Sequence, residues 1–135
     1  MAHIAIVDDD EDFVNAVTTV MRKAGHTVEA SLQTEGAIEM MEKRRPDLAI
    51  LDVMFPEDSA AGFNLARAIA QNEKLKGLPI LMLTAVNQKY PFGFSAKDID
   101  DAWLPASDFV EKPIDFDVLQ NKVAEILQKG ERPST

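Results

Sequence analysis

The chain reads as an α/β protein built on a doubly wound parallel sheet of five strands, with helices on both faces. Three observations predict this. Short apolar clusters alternate with helical periodicities from end to end. The connections between clusters are too long for hairpins, so the strands run parallel and the crossovers right-handed. A length of 135 residues is that of one compact domain, which buries roughly two thirds of its unfolded surface without disulfide or metal staples.

The elements follow in order. His3 to Val7 is a nearly continuous apolar run, the pattern of a strand buried on both faces. Phe13, Val14, Val17, Val20 and Met21 then recur at helical spacing until Gly25 stops the helix. Thr27 to Ala30 is a weaker strand, and Thr34 stands where it can cap a helix carrying Ala37, Ile38 and Met41 that ends before Pro46. Leu48 to Val53 is the third strand. A loop with Pro56 and Gly62 leads into a helix with Phe63, Ala66 and Ile69, and Pro79 opens a fourth strand, Ile80 to Thr84. Asp108 to Glu111 reads as the fifth. Asp115 caps a last helix whose apolar stripe is Phe116, Leu119, Val123, Ile126 and Leu127, closed by Gly130. One domain is expected over residues 1–129, with 130–135 a flexible tail.

Composition excludes several classes of function. Without cysteine, disulfides, thiolate metal sites and thiol catalysis are ruled out. The longest apolar run, Leu78 to Val86, is far short of a bilayer span, and Asp8 to Asp12 put five consecutive acids where an export signal needs a basic start and an apolar stretch. A cytoplasmic location is the expectation. With 14 basic against 23 acidic residues the net charge is −9, a surface that repels phosphate backbones and anionic lipid. Neither direct nucleic-acid binding nor membrane binding is expected; a cationic partner suits the surface better.

In a doubly wound sheet the chemistry gathers at the carboxyl ends of the strands. There stand Asp8 and Asp9 after the first strand, Asp52 on the third, Thr84 on the fourth and Lys112 after the fifth. Three converging carboxylates need a cation or a proton, since two like charges 4 Å apart repel by about 4 kcal/mol at an effective dielectric of about 20. Mg²⁺, hard and oxygen-ligated, is the natural counterion. With it, one carboxylate can attack a phosphoryl donor while Lys112 neutralises developing charge and Thr84 offers a hydroxyl to the phosphoryl oxygens. Plainer readings stand beside these. Asp8 to Asp12 stand where a helix begins, and its macrodipole alone favours acids there, a reading that suits Asp10, Glu11 and Asp12 better than Asp8 and Asp9. Thr84 alone is an ordinary strand-end threonine, and Lys112 before Pro113 is compatible with a solvated turn. Asp52 resists the plainer reading, because it interrupts the apolar sequence Leu48 to Met54 where an unpaired carboxylate is expensive.

In these residues the sequence resembles the receiver domain of two-component response regulators. The resemblance runs over almost the whole chain, in the segments Ile6-Val7-Asp8-Asp9-Asp10, Pro46-Asp47-Leu48-Ala49-Ile50-Leu51-Asp52-Val53-Met54, Leu83-Thr84-Ala85 and Phe109-Val110-Glu111-Lys112-Pro113. It implies a flavodoxin-like fold with strand order 2-1-3-4-5, and Asp52 as phospho-acceptor for a histidine kinase or a phosphotransfer protein. It also implies that Asp8 and Asp9, with Asp52 and the backbone carbonyl of Met54, hold Mg²⁺ directly or through water, with Mn²⁺ a substitute. Thr84 and Lys112 then match the residues that engage the phosphoryl group, and Phe109 the aromatic switch position. The output is expected through an unknown downstream protein, with homodimerisation through the face from the fourth strand to the last helix.

Two departures from the family pattern stand out. The loop between Pro56 and Gly62 is slightly long, and Lys112 lies 28 steps beyond Thr84, which extends the segment between the fourth and fifth strands. That segment holds Tyr90, Phe92, Phe94 and Trp103, four of nine aromatics, as a local core or as a partner surface. A different class of function, a Mg²⁺-dependent phosphohydrolase using Asp52 as nucleophile, needs a second acid two positions on, where Met54 stands. A nucleotide or flavin binder lacks support, because the glycines at 25, 36, 62, 77, 93 and 130 form no G-x-G-x-x-G. An interaction domain that keeps only the shape is disfavoured by the intact acidic set.

Overall fold

The computed structural model describes residues 2–52, 61–85, 108–112 and 115–131, the side chains of 84, 85, 108, 109, 111, 112 and 129–131 excepted. Its elements are β1 (His3–Val7), α1 (Glu11–Lys23), β2 (Thr27–Ser31), α2 (Ala37–Lys43), β3 (Leu48–Asp52), α3 (Ala61–Gln71), β4 (Ile80–Ala85), β5 (Asp108–Lys112) and α4 (Phe116–Glu131). The five strands form one sheet in the order β2-β1-β3-β4-β5, every pair parallel, as the sequence predicts. A helix follows β1, β2, β3 and β5; the segment after β4, with Tyr90 to Trp103, lies outside the described residues, as does the loop from Val53 to Ala60.

Strand alternation builds two cores. Ala5, Val7, Ala49, Leu51, Ile80 and Met82 face α2 and α3, where they meet Ala37, Met41, Phe63, Ala66 and Ile69. The intervening residues Ile4, Ile6, Leu48, Ile50, Leu81 and Leu83 face α1 and α4 and meet Val14, Val17, Met21, Leu119 and Val123. A strand between two helical layers needs apolar residues at both parities, which is why β1 and β3 read as unbroken apolar runs. β2 pairs on one side only and carries exposed Thr27 and Ala30, so its sequence signal is weak.

Helix ends depart from expectation in two places. Thr34 does not cap α2 with its side chain; Gly36 occupies the cap position at φ 82°, and the Ala37 N–H donates to the Thr34 carbonyl at 3.1 Å. Positive φ suits glycine, so the chain turns into the helix by backbone geometry. Gly130 lies inside α4, which runs on to Glu131. Asp115 does cap that helix, its Oδ1 accepting the Asp117 N–H at 2.8 Å.

At the amino-terminal edge of the sheet, His26 Nδ1 accepts the Ala2 N–H at 3.1 Å. Burial lowers the His26 pKa below its ordinary 6.5, the amino-terminal charge lowers it further, and Asp47 opposes the shift. The folded state therefore binds that proton more weakly than the unfolded chain. Its contribution to stability is full above pH 6.5 and is lost as pH falls through the folded value. The urea midpoint of the wild type should accordingly drop more between about pH 7.5 and about pH 5.5 than that of His26→Gln; equal drops would remove His26 as a source. Ile50, fully buried, should cost about 2–5 kcal/mol on replacement by alanine. A loss under about 1 kcal/mol in urea unfolding would show that the floor beneath the carboxyl edge is loosely packed.

Candidate functional site

Register decides which residues meet at the carboxyl edge. Val7 pairs with Leu51, so Asp8, one residue beyond β1, stands beside Asp52, the last residue of β3. Asp52 pairs with Leu83, which puts Thr84 one position further along β4, and Ala85 pairs with Lys112 at the end of β5. The backbone thus brings Asp8, Asp52, Thr84 and Lys112 to one edge. The side chains of Thr84, Lys112 and the switch candidate Phe109, and Met54 altogether, lie outside the described residues.

Asp8, Asp9 and Asp52 each offer one carboxylate oxygen, and these three atoms lie within 4.8 Å of one another. Asp8 is fully buried, Asp52 is 3% exposed, and Asp9 faces solvent. At this separation the buried pair Asp8 and Asp52 repels by about 3–4 kcal/mol at an effective dielectric of about 20, and solvent screens the share of exposed Asp9. The donor set is oxygen only. Ligands of an octahedral ion with bonds of about 2.1 Å lie about 3 to 4 Å apart, so the cluster is close to the spacing that a small hard cation requires. Carboxylate oxygens without imidazole or thiolate favour such an ion over zinc or copper.

Hydrogen bonds hold Asp8 in place. Its N–H donates to the Ser31 carbonyl at 3.1 Å, tying the end of β1 to β2. Its Oδ1 accepts the Asp10 N–H at 2.9 Å. Asp10 is the N-cap of α1, with Oδ1 accepting the Phe13 N–H at 3.1 Å and its carbonyl accepting the Val14 N–H at 2.9 Å. The five acids therefore divide: Asp8 and Asp9 belong to the cluster, Asp10 to the helix cap, and Glu11 and Asp12 to the first turn. The macrodipole reading holds for the last three, with a capping hydrogen bond added at Asp10. Ser31 escaped the sequence reading because it acts through its main chain, which leaves no side-chain signature.

Comparisons with known proteins agree with this geometry. Over its full length the chain is 32% identical to the transcriptional regulatory protein AfsQ1 of Streptomyces coelicolor, covering 55% of that protein. It is 24% identical to the protein PilH of Pseudomonas aeruginosa, with 94% of this chain and 98% of PilH covered. The chain spans about half the length of most of the curated relatives it matches. A crystal structure of a putative response regulator from Chloroflexus aurantiacus superposes with a TM-score of 0.79 at 32% identity, over 94% of this chain and 98% of that one. The chemotaxis response regulator CheY4 of Vibrio cholerae does so with a TM-score of 0.78 at 26% identity, over 93% and 98%. The phosphohydrolase alternative gains no support from these relatives. Among the described residues no helix is long and apolar enough to cross a membrane. Residues 4–124 match the family model of the response regulator receiver domain, and it is to that family that the chain belongs.

Proposed function

We propose that this chain accepts a phosphoryl group on Asp52 from the phosphohistidine of a histidine kinase or phosphotransfer protein, and that the modification switches a protein-binding face. The observation that carries the reading is a buried carboxylate at the end of the central strand, within 4.8 Å of two others. In the transfer, an Asp52 carboxylate oxygen forms the new O–P bond as the donor's N–P bond breaks and the imidazole leaves. Asp8 and Asp9, with Asp52 and the Met54 carbonyl, are the groups to hold Mg²⁺ or its substitute Mn²⁺. Bound there, the ion neutralises charge on the transferring phosphoryl oxygens. Lys112 supplies a second positive charge and Thr84 a hydroxyl donor. Phe109, whose backbone pairs with Met82 in the β4–β5 ladder, is the aromatic that responds when Thr84 moves.

The same reading assigns residues 1–129 to one receiver unit acting in the cytoplasm on an unidentified protein target. A second copy would dock through the face from β4 to α4. The expected chemistry is stoichiometric acylation with slow self-hydrolysis, without turnover of a substrate.

Two experiments test it. Incubated with Mg²⁺ and acetyl phosphate, the wild type should gain one phosphoryl mass that decays slowly. Asp52→Asn should gain none while keeping its fold and unfolding at least as hard, since one member of the repelling trio is neutralised. Acyl phosphate mapped to a residue of the mutant other than Asp8 or Asp9 would exclude Asp52 as acceptor. Separately, Mg²⁺ should raise the thermal midpoint of the wild type by mass action, and Asp9→Ala should lose most of that rise. An equal rise in both proteins would place the ion elsewhere.

A further inference from the structure

We infer that Asp10 is a positioning residue for the cation site: it sets the Asp8 carboxylate through its own backbone amide and is itself no ligand. The inference rests on the proposed Mg²⁺ site and adds a residue that the ligand set does not include.

The chain of contacts is short. Asp8 is fully buried, and its Oδ1 accepts the Asp10 N–H at 2.9 Å. A carboxylate held at one oxygen has its rotation about the Cβ–Cγ bond restricted, which fixes the direction of the other oxygen. The donor is a main-chain N–H, so its position is decided by the backbone of Asp10. That backbone is held at φ −87° and ψ 101°, the extended conformation of an N-cap residue. Two bonds to the first turn of α1 keep it there: Asp10 Oδ1 with the Phe13 N–H at 3.1 Å and the Asp10 carbonyl with the Val14 N–H at 2.9 Å. The Asp10 side chain thus points to the helix, and its exposed carboxylate is absent from the trio of converging oxygens. Ser31, through its carbonyl, restrains the Asp8 main chain from the opposite side.

What matters at position 10 is then a short side chain that accepts a hydrogen bond from the helix, and its charge is secondary. Asparagine and serine cap as well as aspartate, whereas alanine does not. Outer groups that orient a ligand typically change metal affinity by about 10- to 100-fold when removed. The lower end applies here, because the Asp10 amide survives substitution and only its pose loosens.

The test is calorimetric titration of Mg²⁺ into the wild type, Asp10→Asn, Asp10→Ser and Asp10→Ala at high ionic strength, with Asp9→Ala as reference. Hydrogen exchange at the Phe13 amide reports the cap independently. Asp10→Ala should bind Mg²⁺ about tenfold more weakly and exchange faster at Phe13, while Asn and Ser stay within about twofold of the wild type. Equal weakening in all three variants would mean that Asp10 acts by charge or as a ligand, and unchanged affinity in Asp10→Ala would mean that it has no part; either overturns the inference. Should Asp10→Ala fail to fold, Asn and Ser still decide between cap and charge. If Asp9→Ala binds Mg²⁺ like the wild type, the ion site itself is wrong, an outcome distinct from a failure at Asp10 alone.

Discussion

Repulsion among Asp8, Asp9 and Asp52 is the constraint on which the rest of the structure depends. With no cation present, the two buried members, Asp8 and Asp52, repel by about 3–4 kcal/mol at an effective dielectric of about 20, while solvent screens Asp9 at the surface. Net stabilities of single domains are only about 5–15 kcal/mol, so a scaffold carrying such a cluster must resist relaxing around it. The residues directly beneath, Ile6, Val7, Ile50, Leu51 and Leu83, are all fully buried. They belong alternately to two separate cores, one under α2 and α3, the other under α1 and α4. The carboxylates therefore cannot spread by tilting a strand without opening one core or the other.

The opposite edge of the sheet is stitched by complementary groups. His3 donates its N–H to Asp47 Oδ2 at 2.8 Å, and its carbonyl accepts the Asp47 N–H at 2.6 Å. The His3 ring is buried between Thr27 Oγ1 at 2.8 Å and Glu29 Oε1 at 3.1 Å. These bonds link β1 to the start of β2 and to the turn before β3. Order at the amino-terminal edge, where groups of complementary polarity meet, complements crowding at the carboxyl edge, where three carboxylates converge. One end of the molecule holds the register that the other end needs.

Much of this was legible in the sequence, for definite reasons. Burial on both faces removes the polar alternation from β1 and β3, so each appears as a continuous apolar run, and a carboxylate at the end of such a run, Asp52, stands out. Edge strand β2 loses that signal because one of its sides faces solvent. The start of α2 is hidden from the sequence for a different reason. Thr34 is a good cap by type, but Gly36 takes positive φ and lets backbone groups make the turn, a choice that depends on tertiary geometry. Gly130 failed as a stop because a glycine in a last turn costs only about 1 kcal/mol relative to alanine, which α4 absorbs through Leu119, Val123, Ile126 and Leu127 packed on the sheet. The acid run showed its charge but hid its division of labour, since a ligand and a cap look alike when both are aspartate.

On the proposed reading, phosphorylation makes the charge problem at this edge worse before it makes it better. A phosphoryl group with charge near −2 replaces the single charge of Asp52, while Asp8 and Asp9 keep theirs. The modified site therefore depends more on positive charge than the unmodified one. Linkage makes the dependence reciprocal: whatever factor a bound divalent ion adds to the stability of the phosphorylated form, phosphorylation adds to the affinity for the ion. The same arithmetic bounds the switch. Moving a conformational equilibrium from 1:99 to 99:1 takes about 5.5 kcal/mol of differential interaction, and a charge-assisted hydrogen bond supplies about 1.5–3 kcal/mol. A lysine and a threonine donor together supply about 3–6 kcal/mol, a large part of that total, and neither reaches it alone. Loss of one donor should then leave a protein that still accepts the phosphoryl group but divides its population between the two faces.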